Sequence, residues 1–345
     1  MTAHGKQRQT AAEIVVTGSL AYDFILSYPG DFRDHLIADK MHVLSISLLV
    51  PTMKQQRGGT AGNMAYSLAL LGQTCSVLAT VGAEDFETYR AFLANLGVDT
   101  DAIVRVPGDL TASFHALTDS QNNSFGGFYE GAMRRSDLTT FHRFDPATVK
   151  LALIGPTVPE AITRFPGECR DLGIPFVYSP AWQTSVMDGP TLAAGIKGAT
   201  AVLGSDYEFA TMTAKTGLSE EAMLGELAPN GALIKTLGGN GSLIRTRNTT
   251  TIVPIAPVET VVDPTGGGDA YAAGLLMGMV RGWLWQTTGR VAALAATYAI
   301  EQYGPQAHAY TQAEFAARYH ETFGVALNTE DVTAKARAAA VSVSE

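Results

Sequence analysis

Six short apolar runs, at residues 14–16, 75–81, 151–155, 175–178, 201–203 and 232–237, constrain this chain more than any other feature. Each is too short for a helix, and none alternates apolar with polar residues as a half-exposed strand would. A largely apolar run of this length fits a strand buried on both faces. Residues 61–71 follow a different rule, with Met64, Leu68 and Leu71 repeating at i, i+4 and i+7, the spacing of one apolar helix face. Strands alternating with helices imply an α/β fold, with a mostly parallel central sheet flanked by helices. Apolar residues make up 46% of the chain, enough to cover such a sheet on both sides.

Two segments break the rhythm, residues 42–50 and 112–131; in the second, β-rich stretches flank the turn-forming SQNN at 120–123. They are expected to build a small sheet, either an ordinary edge hairpin or a lid that excludes water from a reaction centre when it closes. The 345 residues exceed the roughly 100 to 200 of one ordinary domain. A main domain over 1–325 is expected, with a lid from about 20–55 and 108–135 and a flexible C-terminal tail over 326–345.

Charge and cysteine content narrow the function. A net charge of −9 lacks the basic footprint that nucleic-acid binding needs, so no nucleic-acid partner is expected. Cys75 and Cys169 are too few for a disulfide framework and lack zinc-ligand spacing, which favours reduced thiols and a cytoplasmic setting. A polar N-terminus and the lack of any 18-residue apolar run predict neither secretion nor a membrane partner.

The chemistry concentrates in DPTGGGDA, residues 263–270, after which Tyr271, Leu275 and Met279 continue at helical spacing. Gly266, Gly267 and Gly268 therefore stand where the chain enters a helix, where backbone N–H groups can approach an anion closely. Asp269 next to such a cradle is awkward unless it takes a proton from an attacking hydroxyl. It reads equally well as a helix N-cap on a glycine-rich turn. No GxxxxGK[ST] occurs, so a P-loop mechanism is not available, and TLGGNGS at 236–242 lacks the full GxGxxG spacing of a dinucleotide fold.

DPTGGGDAYAAG resembles the signature of the ribokinase-type, or PfkB, carbohydrate and nucleoside kinases, usually a D[ST]TGAGDAF-like segment. RGGTAGNMAYSLALLG at 57–72 is similar to that family's substrate signature, and VTGSLAYD at 16–23 to its opening strand. The resemblance runs from about Val15 to Phe323. It implies a ribokinase-like fold with a small β-sheet lid, Gly266, Gly267 and Gly268 as anion hole, and Asp269 as general base. It implies Asp23, Gly59 and Asn63 at the acceptor's hydroxyls, with Thr236, Gly238, Gly241 and Ser205 at the nucleotide. ATP and Mg²⁺ are the implied cofactors, Glu208 governing Mg²⁺ through water, with K⁺ a further option near Asp263 and Gly304.

The sequence departs from the pattern at Pro264, Gly267 and Tyr271, and at Ser205 of GSDYE, where Asn is usual. SPAWQ at 179–183 stands where related chains carry a DPxQ-like segment. Residues 44–63, FYEGAMRRSDL at 128–138 and YGPQAHAYT at 303–311 are similar to the bacterial and archaeal adenosine kinase-like branch. That branch implies a nucleoside acceptor, adenosine first, phosphorylated at its 5′-hydroxyl. Ile46, Leu48 or Phe114 would then sandwich the base or form a small core of the lid. Arg134 would reach the transferred phosphate or lie free on the surface. A sugar kinase and a non-catalytic nucleoside- or sugar-binding protein are the alternatives, and the chain is expected as a monomer or homodimer.

Overall fold

The structure is a computed structural model that describes residues 12–43, 45–121 and 123–327. The strands in chain order are β1 (Ile14–Thr17), β2 (Ala21–Ser27), β3 (Thr52–Gly58), β4 (Ser76–Leu78), β5 (Thr80–Gly82), β6 (Val104–Val106) and β7 (Ala112–Thr118). They continue with β8 (Ser124–Tyr129), β9 (Leu151–Ile154), β10 (Phe176–Tyr178), β11 (Ala201–Ser205), β12 (Ala232–Thr236), β13 (Ser242–Thr246) and β14 (Thr250–Val253). The helices are α1 (Thr60–Leu70), α2 (Glu87–Asn95), α3 (Pro159–Leu172), α4 (Gly189–Ile196), α5 (Asp206–Thr216), α6 (Glu220–Glu226), α7 (Gly267–Val280), α8 (Trp285–Ile300) and α9 (Gln312–Phe323).

Among the described residues the main sheet has eight strands in the order β14-β13-β12-β11-β10-β9-β1-β4. The pairs from β4 to β12 are parallel, and β13 and β14 close one edge antiparallel. All six apolar runs fall in strands: 75–81 spans β4 and enters β5, and the other five supply β1, β9, β10, β11 and β12. Their side chains divide between two cores. Ile14, Val16, Leu153 and Ile234 join α1, α7, α8 and α9 on one face. Val15, Ala152, Ile154 and Leu233 join α3, α4, α5 and α6 on the other. A strand with helices over both faces needs apolar residues at every position, which is why these runs do not alternate.

Helix α7 is apolar around almost its whole circumference because it lies between α1 and α8. Gly274 makes the crossing close: a β-carbon there would come within 2.6 Å of the Ala292 backbone. The helix that begins at the glycine-rich segment is thus clamped along its length.

A second sheet has four strands in the order β3-β2-β7-β8, with β2 and β7 parallel and the outer pairs antiparallel. The 112–131 segment supplies its β7–β8 hairpin as expected. Residues 42–50 do not form a strand: a 3₁₀ turn covers Ala38–Val43 and the ladder begins only at Thr52. The apolar residues of that segment stay largely exposed, Leu49 at 90%, so the β-like composition has no neighbouring strand to pair with. Asn122 of the hairpin turn, and the tail beyond residue 327, lie outside the described residues. Among the described residues no helix is long and apolar enough to cross a membrane.

Candidate active site

The C-terminal ends of parallel strands are where ligands bind in α/β sheets, and the predicted residues gather there. Ser205 ends β11, Thr236 ends β12, and β1 leads into the turn at residues 18–20 against which α1 starts. Gly59, the N-cap of α1, has φ +86°, and a β-carbon there would lie 2.5 Å from the Ser19 carbonyl oxygen and 2.7 Å from the Ala21 nitrogen. Only glycine allows that approach, which brings α1 and its Asn63 close to β2.

Gly266 caps α7 in the left-handed region with φ +81°. A β-carbon on it would come within 2.5 Å of Pro305 Cβ, so the 304–306 turn packs directly on the glycine segment. Gly267 N–H donates to Pro264 O and Ala270 N–H to Gly266 O, whereas the amides of Gly268 and Asp269 meet no acceptor among the described residues. Free amides at the start of a 14-residue helix bind anions. Gly267, where the family pattern has alanine, is explained by Ile300: its Cγ2 lies 2.7 Å from where the alanine methyl would be.

Asp269 is partly buried on α7 and accepts a hydrogen bond from Asn63 Nδ2 at 2.8 Å. Burial pushes its carboxyl up to about 7, and the Asn63 bond pulls in the opposite direction. Asp269 is therefore not a helix cap: it lies in the first turn of α7, and the N-cap is Gly266. A carboxylate tuned to neutrality, next to unpaired amides, can accept a proton while an anion is held beside it.

Two cavities meet at Gly268. One, of about 380 Å³, is mainly apolar and is lined by Thr236, Gly238, Gly241, Gly267, Tyr271 and Ile300 among others. The other, of about 180 Å³, holds Asp269 with Ser205, Glu208, Thr236 and Ser179. An apolar slot opening on free amides fits a nucleotide, with its base in the slot and its phosphates at the helix start. The floor of the slot carries a hydroxyl pair, Tyr271 OH and Ser242 Oγ at 2.6 Å, which accounts for tyrosine where phenylalanine is usual.

The Ser205 departure also has a local explanation. Ser205 Oγ accepts from Glu208 N–H at 3.3 Å, and Glu208 Oε2 accepts from Ser205 N–H at 2.7 Å, forming a capping box at the start of α5. Serine caps a helix as well as asparagine does, so Glu208 keeps its place on the cavity wall. In SPAWQ, the Gln183 side chain is fully buried in hydrogen bonds with the Thr157 backbone, and Ser179 lines the Asp269 cavity.

On the acceptor side Asp23 lies in β2, where burial, then repulsion from Asp263, pushes its carboxyl up to about 6. The ladder sets Gln56 on β3, Asp23 on β2, Phe114 on β7 and Phe128 on β8 in one row across the small sheet. Cross-strand partners share a face, so a carboxylate stands beside two half-exposed aromatic rings. Asp263 accepts from Thr265 N–H at 2.9 Å and Gly304 N–H at 3.0 Å. Arg134 lines neither cavity at Gly268: its Nη2 lies 2.7 Å from Asp109 Oδ2, so it is not a free surface arginine. Ile46 and Phe114 are each 37% exposed, so they form no closed core.

Two polar residues were not singled out as site residues from the sequence. Gln306 Nε2 donates to Asn63 Oδ1 at 3.0 Å and to Tyr89 OH at 2.5 Å. Their partners are more than 200 residues away along the chain, and no local spacing signals such contacts.

A helix start with free amides and a carboxylate raised towards neutrality, beside an apolar slot, suits a phosphotransferase with an alcohol group as acceptor. The chain belongs to the pfkB family of carbohydrate kinases, whose pattern it matches over residues 11–312. It is 28% identical over 317 residues to a nucleoside kinase of Methanothermobacter thermautotrophicus, covering 90% of this chain and 97% of that one. Its fold matches the structure of Burkholderia thailandensis nucleoside kinase in complex with inosine with a TM-score of 0.79 and 36% identity, over 91% of this chain and 99% of that one. The adenosine kinase of Saccharomyces cerevisiae is 24% identical over 340 residues, covering 85% and 96% of the two chains.

Proposed function

We propose that this chain is an ATP-dependent nucleoside kinase that phosphorylates the 5′-hydroxyl of adenosine, with Asp269 as general base. The observation that carries the nucleoside reading is the row across the small sheet: Asp23 accepts from paired ribose hydroxyls, and Phe114 and Phe128 beside it offer ring faces to a base. On this reading Ile46 or Leu48, from the segment before β3, covers the other face of the base. The Burkholderia relative bound to inosine supports a purine acceptor.

ATP supplies the γ-phosphoryl group, and Mg²⁺, when bound, would offset charge between its phosphates. Thr236, Gly238 and Gly241 border the nucleotide, and Ser205 orients Glu208, which would hold Mg²⁺ through water. Asn63 fixes the Asp269 carboxylate, Asp269 takes the hydroxyl proton, and the amides of Gly268 and Asp269 stabilise charge on the transferred phosphate. Asp263, which already accepts from Thr265 and Gly304 N–H, would hold a monovalent cation such as K⁺ with its remaining lone pairs. The small sheet acts as a lid, and on closure Arg134 exchanges Asp109 for phosphate oxygens, which a guanidinium matches with a fork of donors. The reaction takes place in the cytoplasm.

An acceptor panel tests the substrate. With Mg–ATP, adenosine and then inosine are expected to turn over with kcat/KM at least tenfold above ribose or fructose, since the sugars leave the aromatic pair unused and one good apolar contact contributes about 1–3 kcal/mol. Turnover of free sugars without nucleosides would assign the chain to the sugar-kinase alternative.

A further inference from the structure

Asn63 carries a donor end and an acceptor end, and they are not interchangeable. Its Nδ2 donates to Asp269 Oδ2 at 2.8 Å, and its Oδ1 accepts from Gln306 Nε2 at 3.0 Å. Turning the Asn63 amide over would set its oxygen against the Asp269 carboxylate and its NH₂ against the NH₂ of Gln306, replacing two bonds by two repulsions. Gln306 is oriented in turn by Tyr89. The Tyr89 hydroxyl donates its one proton to Gly58 O at 2.9 Å, so towards Gln306 it acts as an acceptor, and Nε2 donates to it at 2.5 Å.

The cost of this arrangement falls on Gln306 Oε1, which is buried and has no hydrogen-bond partner. A buried amide oxygen without a donor is unfavourable. Gln306 nevertheless keeps that orientation, because its other end holds two acceptors at once. Gly304 and Pro305 anchor the turn that carries it, the first through Asp263 and the second against Gly266. The base, the anion cradle and Gln306 are therefore tied into one rigid unit.

We propose that Gln306 is a positioning residue for phosphoryl transfer: through Asn63 it secures the donor that favours and aims the ionised Asp269 carboxylate. This rests on Asp269 being the general base. The charged and titratable groups around the chain of bonds include Tyr22 and Asp23 on β2, Arg57 on β3, Asp85 before α2, Tyr89 on α2, Glu208 on α5 and Asp263 before α7. All remain in the variants used to test it.

Removing Gln306 frees the Asn63 amide, and losing a donor to an ionised carboxylate raises its pKa. In Gln306→Leu, measured with adenosine and Mg–ATP, the acid limb of the pH–rate profile is expected to move up by about one unit. With the Asp269 carboxyl pushed up to about 7 in the free parent protein, kcat/KM is expected to fall roughly five- to tenfold between about pH 6 and 7 and to recover to within about twofold near pH 9. Gln306→Met, which preserves more of the side-chain volume, is expected to behave alike and carries the measurement if the leucine variant melts early. A profile that superimposes on the parent's overturns the proposal. So does a loss of kcat/KM that persists near pH 9 with an unmoved midpoint, the mark of a purely structural role. Asp269→Asn is run in parallel. If that variant keeps near-parental kcat, the general-base reading itself falls; if it is inactive while Gln306→Leu is unchanged, only the role of Gln306 falls.

Discussion

Asp269→Asn is expected to lower kcat by roughly 10² to 10⁴-fold, the usual contribution of a positioned general base. The substitution preserves shape: the asparagine oxygen still accepts from Asn63 Nδ2, so the hydrogen bond that anchors the side chain survives. What disappears is the proton acceptor. KM for the nucleoside is expected to change little, because Asp23 and the lid aromatics make the contacts proposed for binding, and loss in kcat alone marks an interaction made in the transition state. Steady-state kinetics with thermal melts of both proteins check this. A folded variant with near-parental kcat would remove Asp269 from the chemistry.

Gly268→Val is expected to abolish turnover almost as fully while sparing the fold. A β-carbon at Gly268 meets nothing within 4 Å, so there is room for it, but that room is the junction between the nucleotide slot and the Asp269 cavity. A branched side chain there would cover the amides meant for phosphate, and losing such donors costs at least about 10²-fold in kcat. Valine is a better helix former than glycine, by less than about 1 kcal/mol, so the melting temperature should move by only a few degrees. Gly266→Val is the contrasting case, since φ +81° and the nearby Pro305 make it a folding defect. A Gly268→Val protein that melts normally and retains full activity would show that these amides do not hold the transferred group.

The sheet was legible because strands buried on both faces write themselves as short apolar runs, and 14–16, 151–155 and 201–203 needed no further information. Residues 42–50 misled because β-branched and apolar content records a preference for a packed pleated surface, and none is available to that exposed segment. Asp269, the glycines and Asn63 were readable as local patterns, and the structure joins them through the Asn63–Asp269 bond. Ser205 reads as a departure from the family pattern, although Ser205 and Glu208 three residues apart already spell a capping box. Gln306 and Tyr89 are different: their roles arise only when α1, α2 and the 304–306 turn converge, and a single chain's pattern holds no trace of such contacts. The Asp109 partner of Arg134 was hidden for the same reason, 25 residues away and brought close by the small sheet.

The pH dependence of kcat/KM for adenosine, with saturating Mg–ATP, tests the central claim most directly, because it reports the ionisation of the free enzyme's essential base. Asp269 works only when ionised, and burial sets its carboxyl at about 7. The rate should therefore level off above that value, fall as Asp269 protonates below it, and fall more steeply below about 6, where Asp23 protonates as well. A profile flat down to about pH 5, where an ordinary exposed carboxylate would still be ionised, would contradict the assignment of Asp269 as the proton acceptor.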